Sequence, residues 1–166
     1  MIRKLLLSSL LLLSPLAWSA PATDSEPGPI LVGTTQSVTG HYSEFGKEQL
    51  RGLQMWVKDV NSRGALLGRK VQLQFEDDRS RDAGTVAGFT KLIEQDGVEL
   101  LIGPYSSSLT LEASLVAEKH GIPMVATAAS SDEIWSRGLD NIFGIDTPAG
   151  SYMTGISVAY DAGART

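Results

Sequence analysis

Val98 to Ser108 reads VELLIGPYSSS: a short apolar run, a glycine-proline break and three consecutive serines. Val98–Gly103 has the length and composition of a buried strand, and Leu109–His120 after it has helical spacing, so the serines fall on a strand-to-helix turn. Such a turn gathers hydroxyls beside backbone N–H groups that have no intrahelical partner, at the positive end of the helix dipole. A carboxylate or phosphate is stabilised there.

The same alternation recurs on both sides of this stretch. On the C-terminal side, Leu109–His120 offers Leu111, Leu115 and Val116 as its apolar face and stops at Gly121. Pro123 leads into a strand, Met124–Ala126, and then a small polar loop, Thr127–Ser131. A short helical piece, Asp132–Arg137, precedes a fifth strand, Ile142–Ile145, and Thr147-Pro148 signals the start of a last helix holding Met153, Ile156 and Tyr160. On the N-terminal side, Val86, Phe89 and Ile93 mark a helix capped by Asp82 and ended by Gly97. Before it, Val71, Leu73 and Phe75 alternate with glutamines in a half-buried strand that ends in Glu76-Asp77-Asp78. Earlier still, the spacing of Leu50, Leu53, Val57 and Val60, flanked by Trp56, predicts a helix over Gly46–Ser62. A buried strand, Ile30–Gly33, and a Gly/Ser/Thr-rich loop, Thr34–Phe45, open the domain. Strand and helix thus alternate five times, which predicts an α/β fold: an open, mostly parallel, doubly wound sheet with helices on both faces.

Ligands of such sheets bind beyond the carboxyl ends of the strands, near the point where strand order reverses. Four polar turns belong to that end: Ser37–Phe45, Glu76–Arg79, Pro104–Ser108 and Thr127–Ser131. Catalysis finds little support in them. His41 sits in the first loop and His120 at a helix end, neither with the neighbours of a metal site. Ser106 has no signalled base, and no G-x-S-x-G elbow, phosphate loop or G-x-G-x-x-G fingerprint occurs. No cofactor, metal or catalytic group is therefore expected. Binding fits better. Ser106 and Ser107 can donate hydroxyl and backbone N–H bonds to a carboxylate, while Ala128 and Ser130 offer carbonyls and a hydroxyl to an ammonium group. Neither turn holds a charged residue, and neutral dipoles suit a ligand that is itself a zwitterion. Phe45 and Tyr105 can cover an apolar side chain. The same residues also fit plainer roles: serines as N-caps, Ala128–Ser130 as an ordinary loop, Phe45 as a hydrophobic staple.

The first residues read differently. Arg3 and Lys4, the leucine-rich run Leu5–Leu16 and the small residues after it form a secretory leader, assigned to residues 1–22, with Ala17-x-Ser19 and Ala20-x-Ala22 as the alternative cleavage signals. Residues 23–29 form a polar tether. The chain has no cysteine, so neither a disulfide framework nor a lipid-anchored N-terminal cysteine is expected. Removing Arg3 and Lys4 with the leader takes the formal net charge from −5 to −7, which disfavours nucleic acid and anionic lipid as partners. About 145 residues remain, enough for one domain with its own core.

Taken in order, Thr39-Gly40 through Phe45-Gly46, VNSRGALLGR, FEDD, LIGPYSSS, and GIPMVATAAS followed by WSRG resemble the leucine/isoleucine/valine-binding proteins, type I periplasmic solute-binding proteins of ABC importers. The likeness runs from about Ile30 to Tyr160. It implies a Rossmann-like lobe in which Ser106, Ala128 and Ser130 hold the ligand carboxylate and ammonium and Phe45 covers it. Tyr105 is added on chemistry alone. It further implies an ABC permease as membrane partner, a periplasmic location, no enzymatic activity and a monomer. The family has two lobes joined by crossing strands. Residues 30–166 correspond to the amino-terminal lobe up to the first crossover, so the second lobe, with the acidic residue that usually meets the ammonium, is missing from the match. A sensor ectodomain or amide receptor of the same fold is the alternative, as is a fragment without function. An enzyme on a Rossmann-like sheet would need a fingerprint that the sequence lacks.

Overall fold

The computed structural model describes residues 28–165; the expected leader and tether residues 23–27 lie outside the described residues. Five parallel strands stand in the order β2-β1-β3-β4-β5: β1 (Ile30–Gln36), β2 (Val71–Asp77), β3 (Leu100–Ile102), β4 (Met124–Ala126) and β5 (Ile142–Gly144). Helices α1 (Ser43–Ser62), α2 (Asp82–Glu94), α3 (Ser107–His120) and α4 (Asp132–Ser136) connect them, and α5 (Ala149–Asp161) follows the last strand. The doubly wound sheet expected from the alternation is the one found.

Side-chain alternation along the strands sorts the core into two layers. Leu101 and Met124 face α2 and α3, packing with Phe89, Leu92, Ala113, Val116 and Ala117. Ile30, Val32, Leu100 and Ile102 face the other way, toward Val57 and Val60 of α1. Ala126, Ala129 and Ile134 extend the first layer under α4. Burying one such side chain contributes about 1.5–3 kcal/mol.

Several boundaries differ from those read in the sequence. β1 runs on through Thr34, Thr35 and Gln36, all fully buried, because its ladder with β2 continues as far as Gln36 and Asp77 and α2 packs over it, with Gly88 against Thr35. α1 consequently begins at Ser43, and Phe45 lies in its first turn. Asp82 is the first residue of α2 and not its cap: Arg81 holds the extended N-cap conformation, φ −135° and ψ 140°. The Thr147-Pro148 signal does mark the start of α5, with Pro148 at the N-cap position. On α3 the buried face is Leu109, Ala113, Val116 and Ala117, while Leu115 is 42 % exposed. α2 buries Phe89 and Leu92, leaving Val86 exposed. Small residues turn inward on both helices: Ala113 and Ala117 of α3 pack in the core, and Gly88 of α2 lies against Thr35 of β1. Trp56 also lies outside the core clusters. α3 ends as expected, with Gly121 left-handed at φ 64°.

Candidate functional site

β3 and β4 are adjacent and parallel, paired at Leu101 with Met124 and Ile102 with Val125, so their trailing turns leave the same rim. The reversal of strand order lies next to them, between β1 and β3. Past the last rung, where the Gly103 N–H donates to the Val125 carbonyl at 2.8 Å, the two turns are stitched together again. The Ser106 N–H donates to the Ala128 carbonyl at 3.2 Å. The Ser107 hydroxyl oxygen accepts from the backbone N–H of Ser130 at 3.2 Å and of Ser131 at 3.1 Å. Two groups read from the sequence as facing a ligand, the Ser106 N–H and the Ala128 carbonyl, therefore already satisfy each other.

The N-terminus of α3 supplies the remaining donors. Ser106 caps the helix, its oxygen accepting from the Leu109 N–H at 3.4 Å, while the backbone N–H groups of Ser107 and Ser108 have no acceptor among the described residues. Ser106 does this at φ 88° and ψ 149°, a region that side chains avoid and that costs on the order of 1–3 kcal/mol. Its hydroxyl lies 3.1 Å from that of Ser108. The Ser130 hydroxyl has no hydrogen-bond partner among the described residues, and its carbonyl accepts from the Ala149 N–H at 2.6 Å.

Aromatic rings border these serines. Phe45, 53 % exposed, stacks on Tyr105 with centroids 4.7 Å apart and planes inclined by 6°. Tyr42 meets Tyr105 edge-on at 5.6 Å. All six residues singled out in the sequence, Phe45, Tyr105, Ser106, Ser107, Ala128 and Ser130, thus form one contiguous patch.

Sequence reading missed what lies beneath. Gln36 and Gln49 both aim their amides at the Gly103 carbonyl, at 3.5 and 3.1 Å, and Gln49 also donates to the Thr127 hydroxyl at 2.6 Å. An isolated glutamine in a polar loop or on a helix gives no pattern to find.

The acidic run after β2 organises the neighbouring loop. Burial raises the Asp77 carboxyl, but the Thr39 hydroxyl and the backbone N–H groups of Arg79, Thr39 and Val38 more than offset this and hold it below its ordinary value. Asp78 is fully buried, and that desolvation lifts its carboxyl above the usual carboxylate value despite bonds from the Ser37 hydroxyl and the Ser80 N–H. Among the described residues no group of three or more His, Asp or Glu side chains is placed to hold a metal ion. Nor is any helix among them long and apolar enough to cross a membrane.

Residues 29–165 match the family model described as periplasmic binding protein, and the chain belongs to that family. It is 34 % identical over 129 residues to Leu/Ile/Val-binding protein homolog 8 of Brucella suis, spanning 76 % of this chain and 31 % of that protein. It is 30 % identical over 113 residues to Leu/Ile/Val-binding protein BraC3 of Rhizobium johnstonii, spanning 68 % of this chain and 30 % of that protein. Among solved structures, the branched-chain amino acid transporter substrate binding protein LivJ of Streptococcus pneumoniae, in complex with isoleucine, superposes with a TM-score of 0.69 at 26 % identity. That match covers 72 % of this chain and 34 % of LivJ. The chain spans about a third of the length of these relatives.

Proposed function

We propose that the chain is the amino-terminal ligand-binding lobe of an ABC-importer substrate-binding protein for branched-chain or related amino acids, and that it acts in the periplasm after loss of residues 1–22. The ligand carboxylate lies at the N-terminus of α3, on the backbone N–H groups of Ser107 and Ser108 and the hydroxyls of Ser106 and Ser108. The ammonium lies toward the Ser130 hydroxyl and the free lone pair of the Ala128 carbonyl. Its side chain rests against the Phe45–Tyr105 stack. A membrane permease is the partner by family, and binding proceeds without catalysis.

The observation that carries this reading is the pair of unpartnered N–H groups at the start of α3, held beside the loop after β4 by Ser106 and Ser107. Full charges are absent from both turns, Pro104–Ser108 and Thr127–Ser131, as a zwitterion requires. The Leu/Ile/Val-binding relatives and the isoleucine complex of LivJ support the ligand class. One lobe encloses a small ligand only partly, so the affinity of this chain for leucine is expected to be roughly millimolar. Titration with L-leucine, leucinamide, which lacks the carboxylate, and 4-methylpentanoate, which lacks the ammonium, tests the assignment. Leucine should bind at least about tenfold tighter than either analogue, since each removes one set of charge-assisted hydrogen bonds. Equal affinity for all three would refute the zwitterion site.

A further inference from the structure

At the switch point between β1 and β3, two amide side chains converge on one backbone carbonyl. The β1–β3 pairing ends at Thr34 with Ile102, and the first carbonyl beyond β3, that of Gly103, accepts from the side chains of Gln36 at 3.5 Å and Gln49 at 3.1 Å. Gln36 is fully buried and anchored by the Thr34 hydroxyl at 2.9 Å. Gln49, on α1, spends its second N–H on the Thr127 hydroxyl at 2.6 Å, at the first residue beyond β4. One side chain therefore grips the point where each turn leaves the sheet, on the opposite side from the Ser107 stitch. The backbone itself joins those turns through the Gly103–Val125 and Ser106–Ala128 bonds, and Gln49 adds a side-chain link between their first residues from the α1 side.

We infer that Gln49 is a positioning residue of the ligand site: bonded at once to Gly103 and Thr127, it sets the spacing between the α3 N-terminus and the loop after β4. This rests on the proposed binding site only for its effect on affinity; its effect on the turns stands independently. The test uses Gln49→Met, which keeps length and helix propensity but removes both donors, Thr127→Val, which removes one acceptor, and their double variant. Amide hydrogen exchange on the 166-residue chain is read at Ser106, Ser130 and Ser131, with Val32 and Leu101 as sheet references. Each single variant should speed exchange at the three turn amides by about tenfold, leave the references unchanged and weaken L-leucine binding by a similar factor. The double variant should be no worse than Gln49→Met alone, because both act on one contact. Unchanged turn amides, additive effects, or acceleration that spreads equally to Val32 and Leu101 would overturn the inference. Should the unmutated chain fail to bind leucine, the function proposed above fails, and the exchange pattern alone decides the role of Gln49.

Discussion

Ser106 carries the tension between folding and binding most visibly. Its φ of 88° suits glycine, and its cap to Leu109 at 3.4 Å is long. Exchanging an N-cap serine for glycine costs only a few tenths of a kcal/mol, so relief of strain dominates. Ser106→Gly should stabilise the fold by about 1 kcal/mol, and Ser106→Ala, which keeps the strain and loses the cap, should destabilise it by about the same amount. Urea denaturation midpoints moving in one direction for both would contradict this. Asp77 and Asp78 make a second pair of opposites. Asp77, held below its ordinary value, contributes stability that is complete above the unfolded-state pKa and lost as pH falls through the folded-state value. Asp78, lifted by burial, does the reverse: the folded state binds the extra proton, so stability declines as pH rises from the unfolded value through the raised one. At neutral pH, Asp77→Asn should therefore cost about 1.5 kcal/mol or more, while Asp78→Asn should be neutral or stabilising. Denaturation at pH 7 and at acid pH would show the difference between the two variants shrinking as the pH falls.

Helix α1 shows how a single element is placed by its glycines. A Cβ at Gly46 would lie 2.4 Å from the Ser37 carbonyl, so this glycine lets the first turn, with Phe45, sit directly on the end of β1. Gly52, one face round, has open space. Gly52→Ala should raise stability by about 0.5–1 kcal/mol through helix propensity, whereas Gly46→Ala should lower it by about 1–3 kcal/mol and shift the Phe45–Tyr105 stack. Thermal melts of the two variants, with tyrosine fluorescence as the reporter of the stack, check both. The sequence reading could place α1 from the spacing of Leu50, Val57 and Val60, because apolar periodicity is written locally. It could not see that β1 continues to Gln36, since Thr34, Thr35 and Gln36 look like loop residues until the ladder with β2 and the packing of α2 bury them. For the same reason the roles of Gln36 and Gln49 were invisible: each depends on a carbonyl more than fifty positions away in the chain.

At the scale of the whole molecule, the parallel sheet and the shared rim of the β3 and β4 turns were legible, because alternation of strand and helix leaves few topologies. The pairing of the Ser106 N–H with the Ala128 carbonyl was not, for it depends on how closely two turns approach. Nor was the uneven cover of the sheet. On the α1 face an apolar trough of about 390 Å³ runs beside Leu53, Trp56, Ile102, Val125 and Ile145, and Ile145 is 72 % exposed. α5 buries none of its residues and exposes Tyr152, Met153, Ile156 and Tyr160. Exposed apolar surface of this kind promotes association, so the 166-residue chain should sediment with an apparent mass that rises with concentration, despite the monomer that the family resemblance implies. Ile145→Ser should reduce that rise. Whether neutral groups on two joined turns hold both charges of an amino acid is decided by following the backbone amide resonances during titration with L-leucine. The largest shifts should fall on Ser107, Ser108 and Ser130, whereas silence at these positions, or shifts confined to the trough around Leu53 and Ile145, would contradict that arrangement.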